Sequence, residues 1–357
     1  MKARTPILNQ LDAIVWLQTA FLGDMILSTG AFNLAKREAP HLQQYLITSP
    51  IGKAALEGHD ALSGIFPIKK KRINFFFEAL QLKQALKEMG LHANNCVLIQ
   101  LHRSTRSSLI SKLIGLPVLT YEETSLSFLS SWRVKRVAVF HECTRNALLL
   151  ESLGINRNSI LRALPSLNKN KSSQLSQDLK SPFFKIGIAP GSAWQTKKWP
   201  MEKFKLLISM LVKHQNVQLV LLGSNDEISL INSIREGTDA EFSSEKVIDL
   251  VGKTKLDDLR FVYPQLDLLI SNDSSPIHYA SAFKVPTIAI FGATVSAMGF
   301  GPLAPKSTVV ERKELTCRPC SAHGPNKCPL KHFKCMIDIS AGEVYQKVLE
   351  YLPHKGI

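Results

Sequence analysis

The segment that most constrains the fold covers residues 268–294, LLISNDSSPIHYASAFKVPTIAIFGAT. Two apolar runs, Leu268–Ser271 and Val285–Phe291, have the length and composition of buried strands. Between them, Ile277–Phe283 is long enough for about two helical turns. A strand, a helix and a strand in so few residues form a βαβ unit, which belongs in a parallel sheet. The alternative is a capped helix at the protein surface.

The polar loop of this segment is a predicted anion site. Residues 272–275 (NDSS) are turn and N-cap types, and Pro276 suits the first turn of a helix. Parallel sheets bind ligands at the loops that follow their strands, and the amides of a helix N-terminus attract phosphate. Because Pro276 has no amide hydrogen, the amides of Ser274, Ser275 and Ile277 are the predicted donors.

Alternating strand and helix patterns fill the rest of the chain and divide it in two. They run through residues 13–155, where the last predicted strand is Val134–Phe140, and they resume at Lys185. The sequence between them is polar and rich in Ser, Asn and Lys, which is typical of a linker. We therefore expect an α/β protein with two Rossmann-like domains, whose parallel sheets face a cleft. The predicted parts are an N-terminal domain 1–163, a linker 164–182, a C-terminal domain 183–340 and a C-terminal helix 341–357.

The charge balance favours an anionic partner. The chain of 357 residues has 44 Lys and Arg against 29 Asp and Glu, a net charge of +15. It contains no apolar run of about twenty residues, the length of a membrane-spanning helix. The apolar run that starts at Ala13 is interrupted by Gln18 and Asp24, which argues against a signal peptide. We expect a cytoplasmic protein.

A basic and aromatic run, KKKRINFFF at residues 69–77, is a predicted contact with an anionic membrane. WRVKR at 132–136 adds further charge. The alternative for the first run is a solvated basic loop that leads into a buried aromatic helix face.

The cysteines fall into two groups. Cys96 and Cys143 lie in strand-like and helix-like runs and are predicted core residues. Residues 317–335 hold four more, spaced C-x2-C-x7-C-x6-C. In a cytosolic chain this clustering favours a metal site, a redox pair or thiols packed in a loop-rich insertion over a disulfide framework, and the spacing fits no standard zinc pattern closely.

Two further loops carry candidate chemistry. Asp24 follows the first strand, where it is either a general base or only a helix cap. The loop APGSAWQTKKWP at 189–200 combines Gly191, which lets a ligand approach the backbone, with the Ser192 hydroxyl and the Lys197 charge. It lacks the spacing of a P-loop but remains a plausible anion site.

Several segments together resemble glycosyltransferase family 9, the ADP-heptose:lipopolysaccharide heptosyltransferases. The resemblance spans residues 13 to about 352 and lies in GDMILSTG at 23–30, HECTRNALLLESLG at 141–154, APGSAWQTKKWP at 189–200, SNDSSPIHYASAFKVPTIAIFGAT at 271–294, and CRPC at 317–320 with CPLKHFKCM at 328–336. It implies a GT-B fold and an inverting, metal-independent transfer of heptose from ADP-heptose to the inner core of lipopolysaccharide, or to a lipid A precursor, at the inner face of the cytoplasmic membrane. No cofactor and no metal are expected.

The resemblance also implies roles for single residues. Asp24 would be the base that deprotonates the acceptor hydroxyl, and Lys197 would neutralise the leaving diphosphate. The other donor-binding residues would be Gly191, Ser192, Asp273, Ser274, Ser275 and His278, with Asp273 and His278 placed against the donor sugar and phosphate. Arg103 and Arg106 follow an N-domain strand and would meet acceptor phosphates. Ser275 departs from the family pattern, which has glycine at this position, so a serine side chain could crowd the pyrophosphate.

Two other classes of function are compatible with the sequence. One is a GT-B transferase that uses another nucleotide sugar or acceptor. The other is a protein without catalysis, which binds either a sugar nucleotide or, through a cysteine zinc knob, a nucleic acid. Because the chain lacks a recognised nucleic-acid module such as an RNP1 motif, no nucleic acid partner is expected.

Overall fold

The computed structural model describes residues 7–69, 75–169, 179–236 and 245–353. The chain divides into two compact units, Met1–Asn168 and Lys169–Ile357, and each contains one six-stranded sheet. The pairings between neighbouring strands are parallel throughout both sheets. This confirms the predicted α/β class with two parallel sheets.

The first sheet has the spatial order β3-β2-β1-β4-β5-β6. The central strand β1 is buried at each of its positions, as a parallel strand covered on both faces should be. The strands are β1 Ala13–Gln18, β2 Gln43–Thr48, β3 Gly64–Pro67, β4 Cys96–Gln100, β5 Val118–Tyr121 and β6 Trp132–Val134.

Helices cover both faces of this sheet. Side chains cap four of them. Ser49 and Ser104 accept from the amides of the third residues of α2 and α4, and His141 and Asn156 accept from those of the second residues of α5 and α6. The helices are α1 Leu22–Glu38, α2 Pro50–Leu56, α3 Phe75–Glu88, α4 Thr105–Ile114, α5 Glu142–Leu148 and α6 Arg157–Leu161.

The predicted strand Val134–Phe140 is wrong, because strand β6 ends at Val134. Beyond β6, backbone carbonyls accept hydrogen bonds from a side chain and not from the amides of a neighbouring strand. The Arg145 guanidinium donates to the carbonyl of Val137 (3.3 Å) and to that of Ala138. These contacts satisfy the carbonyls that a strand would have used in its ladder.

The second sheet has the spatial order β12-β11-β10-β7-β8-β9. Its strands are β7 Phe184–Ala189, β8 Val217–Leu221, β9 Val247–Asp249, β10 Leu268–Asn272, β11 Thr287–Phe291 and β12 Thr308–Glu311. Its helices are α7 Met201–Leu211, α8 Ile228–Arg235, α9 Leu259–Val262, α10 Ser275–Phe283, α11 Lys334–Ile337 and α12 Ala341–Leu349. The segment β10–α10–β11 is the predicted βαβ unit, which is therefore confirmed.

Each sheet has one point where the winding of the chain reverses. In the first unit the chain moves outward from β1 to β3 and then returns to place β4 beside β1. In the second unit β10 lies beside β7 in the same way. The loops after such a strand pair diverge and leave a crevice, which is where α/β sheets bind ligands. The candidate residues follow these four strands.

The predicted linker, 164–182, begins with residues that bond to the first unit. The Ser166 amide donates to the Thr29 hydroxyl at 3.1 Å, and the Asn168 amide group donates to the Gly58 carbonyl at 3.3 Å. Residues 170–178 lie outside the described ranges, so the extent of the linker stays a prediction. Across the described ranges, none of the helices combines the length and apolar character that crossing a membrane requires.

Candidate active site

In the second unit, two loops that are distant in sequence are bonded to each other. They are the loop 190–199 after β7 and the loop 272–275 after β10. The Asn272 side chain, which is fully buried, donates to the Pro190 carbonyl at 2.7 Å and accepts from the Trp199 amide at 3.1 Å. The Ser274 hydroxyl donates to the Gly191 carbonyl at 3.2 Å. The backbone of both loops is therefore fixed at the carboxyl end of the second sheet.

Lys197 and Asp273 form an ion pair between these loops. The Lys197 ammonium lies 2.7 Å from Asp273 Oδ2, and the side chains are only 13% and 6% exposed. The Thr294 hydroxyl donates to the same carboxylate oxygen at 2.5 Å. A buried pair of this kind needs such an additional hydrogen bond, since desolvation opposes it. The sequence placed both residues at this edge but did not predict that they pair.

The amino terminus of α10 lies in the same place. Ser274 is its N-cap residue and Ser275 its first helical residue, so the helix dipole is directed at the two loops. Ser275 is not among the residues with a positive φ angle, so its backbone does not require the glycine that the family has there. His278, one turn into α10, is buried, and its ring lies 6.4 Å from that of Phe300.

The sequence interpretation missed Glu227 at this site. A Cβ built on Gly191 would lie 1.4 Å from Glu227 Oε1, so the glycine is what allows the carboxylate to lie against the loop. The same carboxylate accepts from the Ser224 amide at 2.7 Å. Ser192, next to Gly191, is buried. The signal that could have found Glu227 is its place in the polar loop after strand β8.

In the first unit, Asp24 lies in the first turn of α1, where Phe21 is the N-cap residue. Its carboxylate accepts backbone hydrogen bonds from Phe21 and from its own amide, which lower its pKa. Burial is the larger effect and, with the negative charge of Glu142, it raises the pKa of Asp24 to about 6. Asp24 therefore bonds the helix end as a capping residue does, and it also has the pKa of a base that works near neutral pH.

Glu142 belongs to a buried charge network that the sequence interpretation missed. Its carboxylate pairs with the Arg145 guanidinium at 3.0 Å and with Arg136. The Arg145 side chain is 3% exposed, and the Tyr121 hydroxyl donates to the Arg145 carbonyl. The network connects α5 to the segment after β6. It also places the Glu142 carboxylate close enough to Asp24 to raise the pKa of Asp24.

The residues after β4 have different surroundings. His102 Nδ1 lies 2.7 Å from the Thr19 hydroxyl, which joins the loops after β4 and β1. Arg103 is exposed, and its positive charge partly offsets the rise in the pKa of Asp24. Arg106 donates to the Lys69 carbonyl at 2.9 Å, and its guanidinium lies 5.8 Å from the centre of the Phe75 ring.

The basic and aromatic run lies partly outside the described ranges, because residues 70–74 fall between them. The alternative, a buried aromatic face on the following helix, is wrong for Phe76 and Phe77, which are 48% and 68% exposed. Leu80, one turn further along α3, is also exposed. These side chains form an apolar surface on the described part of the run.

All six cysteines are free thiols, and Cys96 and Cys143 are buried as predicted. Cys335 is also buried, whereas Cys317, Cys320 and Cys328 are half-buried. Among the described residues, no group of three or more His, Cys, Asp or Glu side chains could hold a metal ion. The role of the cysteines in residues 317–335 stays a prediction.

The sequence is similar to known glycosyltransferases. The profile of glycosyltransferase family 9 (heptosyltransferase) matches residues 80–331. Lipooligosaccharide heptosyltransferase 2 of Campylobacter jejuni is 30% identical over 166 residues, 46% of this chain and 50% of that protein. The chain thus spans about half the length of this curated relative. Lipopolysaccharide heptosyltransferase 1 of Campylobacter coli is 24% identical over 304 residues, which cover 79% of this chain and 84% of that protein.

The fold is also found among solved structures. The E. coli heptosyltransferase WaaC, solved with ADP, superposes with a TM-score of 0.69 at 17% identity, covering 95% of this chain and all of that one. At this identity the likeness establishes the fold, which is of the GT-B class. Because the profile match covers well over half of the sequence, the family can be stated as well: the chain belongs to glycosyltransferase family 9.

Proposed function

We propose that this protein transfers heptose from ADP-heptose to the inner core of lipopolysaccharide, with inversion at the transferred carbon. The observation that carries the proposal is the buried Lys197, held by Asp273 beside the amino terminus of α10. A fixed cation and a helix N-terminus together suit the negative charge that develops on a diphosphate leaving group. Family membership and an ADP-bound structural relative support the choice of donor.

The donor diphosphate would lie against the loop residues Gly191, Ser192, Ser274 and Ser275. Their amides and the Ser192 hydroxyl would donate to phosphate oxygens, while Lys197 would balance the charge as the sugar bond breaks. Asp273 would repel phosphate oxygens but can accept from sugar hydroxyls, and His278 follows one turn later on the same helix. Glu227, a carboxylate beside a glycine, would likewise accept hydrogen bonds from donor hydroxyls.

Asp24 would act as the general base. In an inverting transfer, a base removes the proton of the acceptor hydroxyl as its oxygen attacks the sugar carbon, and the nucleotide departs with the electrons of its bond. A pKa of about 6 leaves Asp24 mostly ionised at neutral pH while keeping it basic enough to accept the proton. Arg103, exposed in the loop after β4, and Arg106 would bind acceptor phosphates.

The acceptor is anchored in a membrane, so the protein would work in the cytoplasm, bound peripherally to the inner face of the cytoplasmic membrane. The exposed Phe76, Phe77 and Leu80 and the basic residues 69–72 support this proposal. The acceptor sugar would be part of the inner core or of a lipid A precursor.

The test is a transfer assay with purified protein, ADP-heptose and an inner-core acceptor, followed by mass spectrometry of the product. Parallel reactions with other nucleotide sugars examine the alternative that the donor differs. Asp24→Asn should lower turnover by about a hundredfold or more while leaving ADP affinity nearly unchanged. Lys197→Ala should weaken ADP binding, measured by calorimetry, because a charge-assisted bond at a buried site is lost.

Two exposed residues provide matched controls: Asp60→Asn in the first unit and Lys255→Ala in the second should leave turnover and ADP affinity unchanged. A protein that binds ADP-heptose but transfers it to no acceptor would support the second candidate, a sugar-nucleotide-binding protein without catalysis. Equal ADP affinity for Lys197→Ala and the parent would contradict the role of Lys197.

A further inference from the structure

Residues 317–335, here called the cysteine segment, contact the loop that carries Lys197 and the loop 291–294 after β11. The Cys320 amide donates to the Ala293 carbonyl at 2.8 Å, in the loop after β11. The Pro325 carbonyl accepts from the Thr196 hydroxyl, next to Lys197. A Cβ built on Gly324 would lie 3.4 Å from Lys197 Cε, so this part of the segment is packed against the lysine itself.

Arg318 is the residue that fixes the segment to the sheet. Its side chain is 2% exposed and pairs with Glu311, which is 7% exposed, at 3.0 Å. The guanidinium also donates to four backbone carbonyls. They belong to Thr294 (2.7 Å), Arg312 (2.7 Å), Phe291 (3.2 Å) and Gly292. One guanidinium therefore holds the loop 291–294 by several of its carbonyls.

That loop leads directly to the proposed donor site. Arg318 holds the Thr294 carbonyl, and the Thr294 hydroxyl donates to Asp273 at 2.5 Å. Asp273 in turn pairs with Lys197 at 2.7 Å. Each step is a hydrogen bond or an ion pair between buried or nearly buried groups, so a shift of the loop would displace the carboxylate and, with it, the ammonium.

We propose that Arg318 is a positioning residue for donor binding: it holds the loop 291–294 so that Thr294 keeps Asp273 aligned with Lys197. This inference rests on the proposed function, since it assigns the pair to a nucleotide diphosphate. It gives the cysteine segment a role that rests on the arginine between its first two cysteines.

The test is calorimetric titration of Arg318→Lys with ADP, which reports the dissociation constant and the number of sites separately. Lysine keeps the charge, but its compact ammonium cannot reach the carbonyls that the planar guanidinium spans. The expected result is a dissociation constant raised about tenfold at an unchanged number of sites. Arg312→Lys is the matched control: its side chain pairs with Glu343 instead, and its ADP affinity should stay within about twofold of the parent.

The outcomes separate positioning from general stability. Fewer sites at an unchanged dissociation constant would mean that Arg318 only supports folding, and would overturn the proposal. If Arg318→Lys does not fold, Thr294→Val removes only the hydroxyl bonded to Asp273. This variant should raise the ADP dissociation constant severalfold without changing the KM of the acceptor, and an unchanged affinity would overturn the proposal.

Failure of the proposed function has a different signature. A parent protein that binds no ADP would refute the donor assignment and the inference with it. A parent that binds ADP and is weakened by Lys197→Ala, but not by Arg318→Lys or Thr294→Val, would refute the inference alone. In the double variant that combines Lys197→Ala with Arg318→Lys, the loss of ADP binding free energy should be smaller than the sum of the two single losses, because both residues act through the Asp273 carboxylate.

Discussion

Asp24 owes its raised pKa to burial and to the charge of Glu142. Only the ionised carboxylate can accept a proton, so kcat/KM should fall as the pH drops below about 6. Glu142→Gln removes a negative charge and leaves Arg136 and Arg145 uncompensated, and both changes favour ionised Asp24. The acid limb of the pH–rate profile should therefore move to lower pH.

The matched control for this shift is Glu151→Gln, a glutamate in the turn that follows α5. It should leave the acid limb in place. An acid limb that stays near pH 6 in Glu142→Gln would mean that Glu142 does not influence the base.

Substitutions at Ser275 test the proposed donor site at a single position. It is the first residue of α10 and is half-buried. Ser275→Gly should bind ADP as tightly as the parent or more tightly, because bulk is removed where no side-chain hydrogen bond caps the helix. Ser275→Leu should weaken binding by filling the space next to the amides. Titration of both variants with ADP measures this, and unchanged affinity for the leucine variant would place the diphosphate elsewhere.

The sequence allowed the candidate residues to be identified, but not their partners. Polar residues after a parallel strand can be found from local pattern alone, which identifies Asp24 and Lys197, whereas the role of Asp273 follows from the family resemblance. The pairing of Lys197 with Asp273, and of Glu142 with Arg136, depends on tertiary packing that brings distant loops together. Arg318 is missed for the same reason, since its partners lie 6 to 27 positions away along the chain.

At the scale of elements, Asn272 joins strand β10 to both ends of the loop 190–199. Its amide must donate at one end and accept at the other, which a carboxylate cannot do. Asn272→Asp would place two carbonyl-type oxygens against each other at Pro190 and add a charge beside Asp273. We expect ADP affinity to fall about tenfold and the Tm to fall by several degrees.

Asn216→Asp is the control for this variant, because Asn216 is exposed in the turn before β8. Its ADP affinity and Tm should match those of the parent. A lowered Tm with unchanged ADP affinity in Asn272→Asp would limit the residue to a role in stability.

The accuracy of the element predictions depended on length and burial. The βαβ unit around α10 was predictable because its strands are fully buried and its turn residues are distinctive. The edge strands β3 and β12 were missed, since Gly64–Pro67 and Thr308–Glu311 are short and only partly buried. Helix α9 is short, since the 3-10 turn Tyr263–Gln265 follows it directly and contains Pro264, which cannot continue a helix ladder.

At the scale of the whole molecule, the excess of positive charge predicts binding to anionic membranes. Each basic residue near such a surface contributes about 1 kcal/mol, so the run at residues 69–72 would be sufficient. Sedimentation with anionic vesicles should decrease as salt rises and after charge reversal of this run. Phe77→Ser should reduce it further, because that side chain is 68% exposed at the start of α3. Equal binding to neutral vesicles would contradict this prediction.

The sheet topology has a consequence for behaviour at high concentration. A strand at the edge of a sheet presents unpaired N–H and C=O groups that another chain can extend into an aggregate. In both described sheets the edge strands are short: β3 and β12 have four residues each, and β6 and β9 have three. The longer strands lie inside, where neighbours on both sides use their hydrogen bonds. A strand of another molecule could therefore pair with only three or four residues at each edge. This protects the folded protein against fibrous self-association.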